Sequence, residues 1–136
     1  TYVPEDYMAE ERLRLRLYRR LAGLTTLKAI DEMAQELADR FGKMPQPVVN
    51  LLYQLKLKVL AREAQVKSIV VDAGQLVLRS NAFALIDCRS LQYRLPSINK
   101  ISPRLMWLSL HPNPVVWQAE LEKVLRLIGR MVSELS

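Results

Sequence analysis

Histidine and cysteine occur once each in this 136-residue chain, as His111 and Cys88, and glycine only four times, as Gly23, Gly42, Gly74 and Gly129. A lone cysteine excludes an intrachain disulfide and a Cys-rich zinc site, so the chain reads as intracellular and metal-free, with Cys88 simply buried. Phosphate-cradling loops need closely spaced glycines whose backbone amides converge. No Gly-x-x-x-x-Gly-Lys or Gly-x-Gly-x-x-Gly occurs, and this segment is not expected to bind ATP itself. His111, between Leu110 and Pro112, has no second histidine to act with and reads as structural rather than catalytic. Neither the serines nor the carboxylates form a recognisable nucleophile or acid-base pair, so no catalytic, cofactor-binding or metal-binding residue is nominated. No apolar run approaches the roughly 18 to 20 residues of a membrane span, and no signal-like start is present, which makes a cytoplasmic location the default expectation. The chain opens on Thr1 rather than Met and is expected to be a segment of something longer, itself monomeric.

Half the residues are apolar, as in ordinary globular proteins, and the length fits one domain over 1–136. After an extended Tyr2-Val3-Pro4 lead, Leu13, Leu17 and Leu21 recur at i, i+4 spacing, which predicts an amphipathic helix stopping near Gly23. Thr26 is placed to cap a second helix with an apolar stripe of Leu27, Ile30, Ala34, Leu37, Ala38 and Phe41, closed by Gly42 with Pro45 beyond. Pro47 suits the first turn of a third, buried through Leu51, Leu52, Leu55 and Val59 and running to about Gln65. The pattern then changes. Residues 68–71 and 76–79 flank Asp72-Ala73-Gly74-Gln75 as a β-hairpin. A short helix from about Ala82 to Leu91, capped by Ser80 or Asn81, is expected next, then strands at Gln92–Leu95 and Arg104–Leu110. Asn113-Pro114 signals the start of a last helix with the stripe Leu121, Val124, Ile128, Met131 and Leu135, in which Gly129 is expected to mark close packing. Three helices followed by ββαββα indicate an α+β domain with helices packed on a mainly antiparallel sheet.

Charge carries the functional signals. Twenty Lys plus Arg against 14 Asp plus Glu give a net +6, which permits nucleic-acid binding without establishing it. Arg12, Arg16 and Arg19 share a face of the first helix, where they could follow a phosphate backbone or, more simply, form a solvated face paired with Glu10 or Glu11. Tyr18 and Tyr93 do not interleave with them as base-stacking groups would, and Trp107 and Trp117 read as core or seam residues. The second helix is more specific. Glu32, Glu36 and Asp39 fall at i, i+4, i+7 on the face away from its apolar stripe. Asp39 lies in the last turn, where the helix dipole disfavours negative charge by about 0.3–1 kcal/mol. Either it is paired within the domain, with an arginine of the first helix, or the stripe is a docking surface for Arg or Lys of a partner.

Three blocks, Val3-Pro4-Glu5-Asp6-Tyr7, Arg14-Leu15-Arg16-Leu17-Tyr18-Arg19-Arg20, and Glu36-Leu37-Ala38-Asp39-Arg40-Phe41-Gly42 with Pro45, make the first 60 residues resemble the carboxy-terminal (TRCF) domain of the bacterial transcription-repair coupling factors, the Mfd family. Gln46 departs from the pattern, since an acid often precedes the second proline. The resemblance implies a segment of a large, superfamily 2 helicase-like, ATP- and Mg-dependent DNA translocase that displaces stalled RNA polymerase and recruits nucleotide excision repair. Within it, this domain is expected to be no enzyme. It is expected to fold back on a module resembling UvrB and mask the surface that binds UvrA, through Glu36 and Asp39. Arg40 would support that contact and Glu32 would extend it. The alternative is a basic nucleic-acid-binding module using Arg12, Arg16 and Arg19.

Overall fold

The computed structural model describes residues 2–135, and the chain divides into two compact units between Val59 and Leu60. The first unit is helical: α1 (Glu11–Ala22), α2 (Leu27–Phe41) and most of α3 (Gln46–Glu63). Its core gathers Leu17 and Leu21 of α1, Ile30, Met33 and Leu37 of α2, and Val48, Leu52 and Val59 of α3, each burial contributing about 1.5–3 kcal/mol. Met33 joins the buried stripe of α2 and Ala38 does not, being exposed. At 100° per residue Ala38 sits about 80° from Ile30, on the stripe's edge, whereas Met33 lies nearer its centre.

Local chemistry sets the ends of these helices. The Thr26 hydroxyl accepts from the Ala29 N–H at 3.1 Å, and Gly42, at φ +82°, closes α2 in a conformation that a side chain would strain. Pro47 lies in the first turn of α3 as expected. The lead is tied down rather than loose. Val3 is buried and donates its N–H to the Tyr18 hydroxyl at 2.7 Å, while Arg14 donates to the carbonyls of Met8 and Ala9, each at 2.9 Å. Tyr7 donates its hydroxyl to the Leu37 carbonyl at 3.1 Å and tilts its ring on Phe41, 5.8 Å between centroids.

The second unit begins with the end of α3. There the Val66 N–H reaches the Ala61 carbonyl at 2.8 Å and the Gln65 N–H reaches Arg62 at 3.1 Å, with Gln65 at φ +57°. These are the two bonds of a Schellman stop, with glutamine where glycine is usual. Strands β1 (Ser68–Asp72), β2 (Gln75–Arg79), β3 (Ile98–Ile101) and β4 (Leu105–Ser109) form an antiparallel sheet ordered β1-β2-β4-β3, with helices packed on it. Asp72 pairs with Gln75 across a two-residue turn in which Ala73 and Gly74 both have positive φ, the type I′ geometry that matches strand twist. Leu76, Leu78, Met106 and Leu108 are buried on one sheet face. Val70, Val77, Trp107 and Lys100 follow one another across the other, the Lys100 ammonium 5.2 Å from the Trp107 ring centre.

Two expectations in this unit are corrected. Ser80 caps only a 3₁₀ turn, Asn81–Ala84, and α4 (Cys88–Arg94) starts afresh because the Asp87 carboxylate accepts from the Ser90 N–H at 3.1 Å. Residues 92–95 are therefore the end of α4 and its exit rather than a strand, and the strand lies beyond Pro96, at Ile98–Ile101. Leu91 and Leu95 are both buried at i, i+4 spacing, a helical pairing that outweighs the short apolar-polar alternation. The last helix, α5 (Pro114–Ser133), is capped by Asn113, whose side chain accepts from the Val115 N–H at 3.0 Å. Its stripe is buried at Leu121, Val124 and Ile128, but Leu135 lies past the helix end and is exposed. Gly129 lies against another element, as expected: a methyl group there would come 3.9 Å from the backbone of Glu63 and Ala64, an ordinary van der Waals contact. No helix is long and apolar enough to cross a membrane, among the described residues.

Candidate docking surface on the first unit

The acidic stripe lies where the periodicity predicts. Glu32 and Asp39 are exposed on α2, and their side chains make no ion pair or hydrogen bond with any described residue. Glu36 differs. Its carboxylate takes the Arg20 guanidinium at 2.7 Å, with both side chains roughly half-exposed. The arginine of the first helix expected to neutralise Asp39 thus belongs to Glu36, and the least favourable acid of the stripe is left alone. Its backbone is nevertheless held, because Tyr7 fixes the Leu37 carbonyl and Gly42 donates its N–H to the Ala38 carbonyl at 3.0 Å.

The five arginines of α1 divide by role. Arg14 is tucked against the lead, with Glu5 3.8 Å away, and Arg20 is held by Glu36. Arg12, Arg16 and Arg19 are exposed and pair with no described residue, so the neutralisation by Glu10 or Glu11 expected for a bland face does not occur. Leu15, 52% exposed, lies among them.

Between α1 and α2 the surface dips into a notch of about 60 Å³, rimmed by Arg16, Arg20, Glu36 and Arg40 and floored by Leu17, Leu37 and Phe41. Arg40 sits over the Phe41 ring, 5.4 Å from its centre, and has no carboxylate partner among the described residues. Small-molecule sites typically enclose about 300–1,000 Å³, so the notch admits the tip of one side chain. Sequence reasoning missed it, since it arises where two helices cross; the arginine-rich block and Arg40 were its visible halves.

Elsewhere, His111 accepts the Asn113 N–H on Nδ1 at 3.0 Å, bracing the entry to α5. The Cys88 thiol donates to the Phe83 carbonyl at 3.1 Å, and burial together with the adjacent Asp87 carboxylate pushes its pKa above the ordinary cysteine range. Burial likewise raises the Tyr7 phenol.

Comparison with known proteins places the chain in a family. The TRCF domain family matches residues 1–91. The transcription-repair-coupling factor of Mycobacterium bovis is 35% identical over 94 residues, 69% of this chain, and that of Bacillus subtilis 33% identical over 92, 66% of it. The Myxococcus xanthus protein of the same name is 27% identical over 130 residues, 91% of the chain. The chain spans only 7% to 11% of the length of these relatives. A solved structure, the crystal structure of the C-terminal domain of transcription-repair coupling factor, superposes with a TM-score of 0.77 over 96% of this chain and 89% of its own, at 17% identity, a likeness of fold. With the blocks around Tyr7, Arg16 and Asp39 all inside the matched region, the chain belongs to the TRCF domain family of the transcription-repair-coupling factors.

Proposed function

We propose that this chain is a non-catalytic, autoinhibitory docking domain of a transcription-repair-coupling factor. It closes on the UvrB-like module of its parent and masks the surface that UvrA would use. The reading is supported above all by Asp39: it is exposed, unpaired among the described residues, and set in the last turn of α2, where the helix dipole opposes it. Stability does not select such an acid; a partner guanidinium would. Asp39 and Glu32 offer free carboxylates, and Glu36 keeps one oxygen beyond its bond to Arg20, so a partner arginine meets Asp39 first.

Release then follows from competition. Clasp and UvrA use one surface, so whatever opens the clasp raises apparent UvrA affinity. Each charge-assisted contact at such a rim is worth about 1–3 kcal/mol, compatible with a reversible switch. In the parent, ATP and Mg serve a motor outside this chain, and DNA and RNA polymerase are engaged there. Mixing this chain with the isolated UvrB-like module tests the reading. Charge reversal at Asp39 and Glu32 should abolish association while the helical circular dichroism stays intact; undiminished association would sink it.

A second reading has one observation in its favour, the unpaired Arg12, Arg16 and Arg19. As a nucleic-acid interface they predict duplex binding that weakens steeply with salt and loses slope as each is neutralised.

A further inference from the structure

We propose that the notch between α1 and α2 receives an acidic side chain of a partner protein, presented beside an apolar residue. This site takes the opposite charge from the acidic stripe and stands whether or not the stripe docks arginines.

The first argument is charge. Three arginines, Arg16, Arg20 and Arg40, line the notch with one acid, Glu36, and Arg20 already occupies its carboxylate at 2.7 Å. The Arg16 side chain has no hydrogen bond or ion pair with any described residue, and that of Arg40 has only the face of Phe41. Two arginines of one notch therefore have no counter-ion among the described residues. A guanidinium laid over a ring keeps its in-plane N–H groups free, and those suit a carboxylate.

The second argument is the floor. Leu17 and Leu37 are buried and Phe41 is partly so, leaving an apolar base beneath the charged rim. A phosphate backbone would leave that base wet. The methylene stem of an acidic side chain would cover it while the carboxylate meets the arginines, and a leucine-sized neighbour would close the notch from water, in the arrangement of an apolar contact ringed by polar ones. Size agrees, since about 60 Å³ accommodates a side-chain tip and excludes a nucleobase.

The test uses this chain, isotopically labelled, titrated with acetyl-Leu-Glu-Leu-amide and followed by NMR. The glutamine analogue, inorganic phosphate and a short DNA duplex serve as comparison probes. The glutamate peptide should shift the Arg16 and Arg40 Nε–H and Phe41 amide signals, with affinity about tenfold above the glutamine analogue. Arg16→Gln and Arg40→Gln should each weaken it, and both positions are exposed, so the unchanged remainder of the spectrum verifies folding. Asp39→Lys should leave peptide binding in place while removing association with the UvrB-like module, which separates failure of this site from failure of the clasp. Equal binding of the two peptides, no shift at Arg16 and Arg40, or the same shifts from phosphate or duplex at equal affinity would overturn the proposal.

Discussion

Arg20 of α1 holds Glu36 of α2 at 2.7 Å, and that single bond decides which acids of the stripe remain free. It joins two of the three sequence blocks that carry the resemblance to the family, all inside the matched residues 1–91, and Tyr7, bonded to the Leu37 carbonyl, joins the third. The pair is half-exposed on both sides, so its stabilising effect belongs to the surface class, about 0–1 kcal/mol. A double-mutant cycle of Arg20→Gln and Glu36→Gln, read by urea unfolding, should return a coupling within that range that shrinks in high salt. A coupling of several kcal/mol would mean that the pair is a structural lock.

Asp39→Asn should stabilise the chain by about 0.3–1 kcal/mol by removing a negative charge from the last turn of α2, while weakening association with the UvrB-like module. Thermal melting and a binding titration of the same variant give both numbers. Loss of stability would place Asp39 among the residues that hold the fold.

Tyr7→Phe removes one hydrogen bond to the Leu37 carbonyl and leaves the ring contact with Phe41. The expected cost is about 0.5–1.5 kcal/mol, with faster amide exchange confined to the last turn of α2. Uniformly faster exchange would show that the hydroxyl does not act locally.

Gln65 and Ala73 occupy left-handed backbone where glycine or asparagine is favoured, Gln65 ending α3 and Ala73 opening the hairpin turn. Gln65→Gly and Ala73→Asn should each raise stability by up to about 1 kcal/mol, and their effects should add because the positions share no partner. Chemical denaturation of the two variants and their combination checks both claims. Gly129→Ala, whose methyl meets only ordinary contacts, should gain a similar amount from helix propensity.

The Cys88 thiol, its pKa raised by burial and by Asp87, should react with iodoacetamide more slowly in the native chain than in urea across neutral to mildly alkaline pH. The neutral thiol is the form the fold favours. Its contribution to stability is therefore complete below the unfolded pKa and lost as pH rises through the higher native value. Equal labelling rates in both states would contradict this.

Much of the architecture was legible because it rests on local rules. Thr26, Gly42 and Asn113 end or begin helices through bonds their own side chains or backbones make, Pro114 through its fixed φ, and the periodicity of Leu17, Ile30, Leu37 and Ile128 assigns their faces. The region from Ser80 to Ile98 was misread. Asp87 offers a cap as good as Ser80, and an alternating segment as short as 91–95 fits either helix or strand until its neighbours are known.

The sequence by itself determined that this is an α+β chain whose second helix bears Glu32, Glu36 and Asp39 on one outward face, because helix periodicity is a property of the backbone. Only the tertiary structure decided that Arg20 goes to Glu36, that Asp39, Arg16 and Arg40 stay without counter-ions among the described residues, and that two of those arginines meet in one notch. Which charges neutralise each other depends on how helices cross, and a crossing is set by packing between residues far apart in the chain.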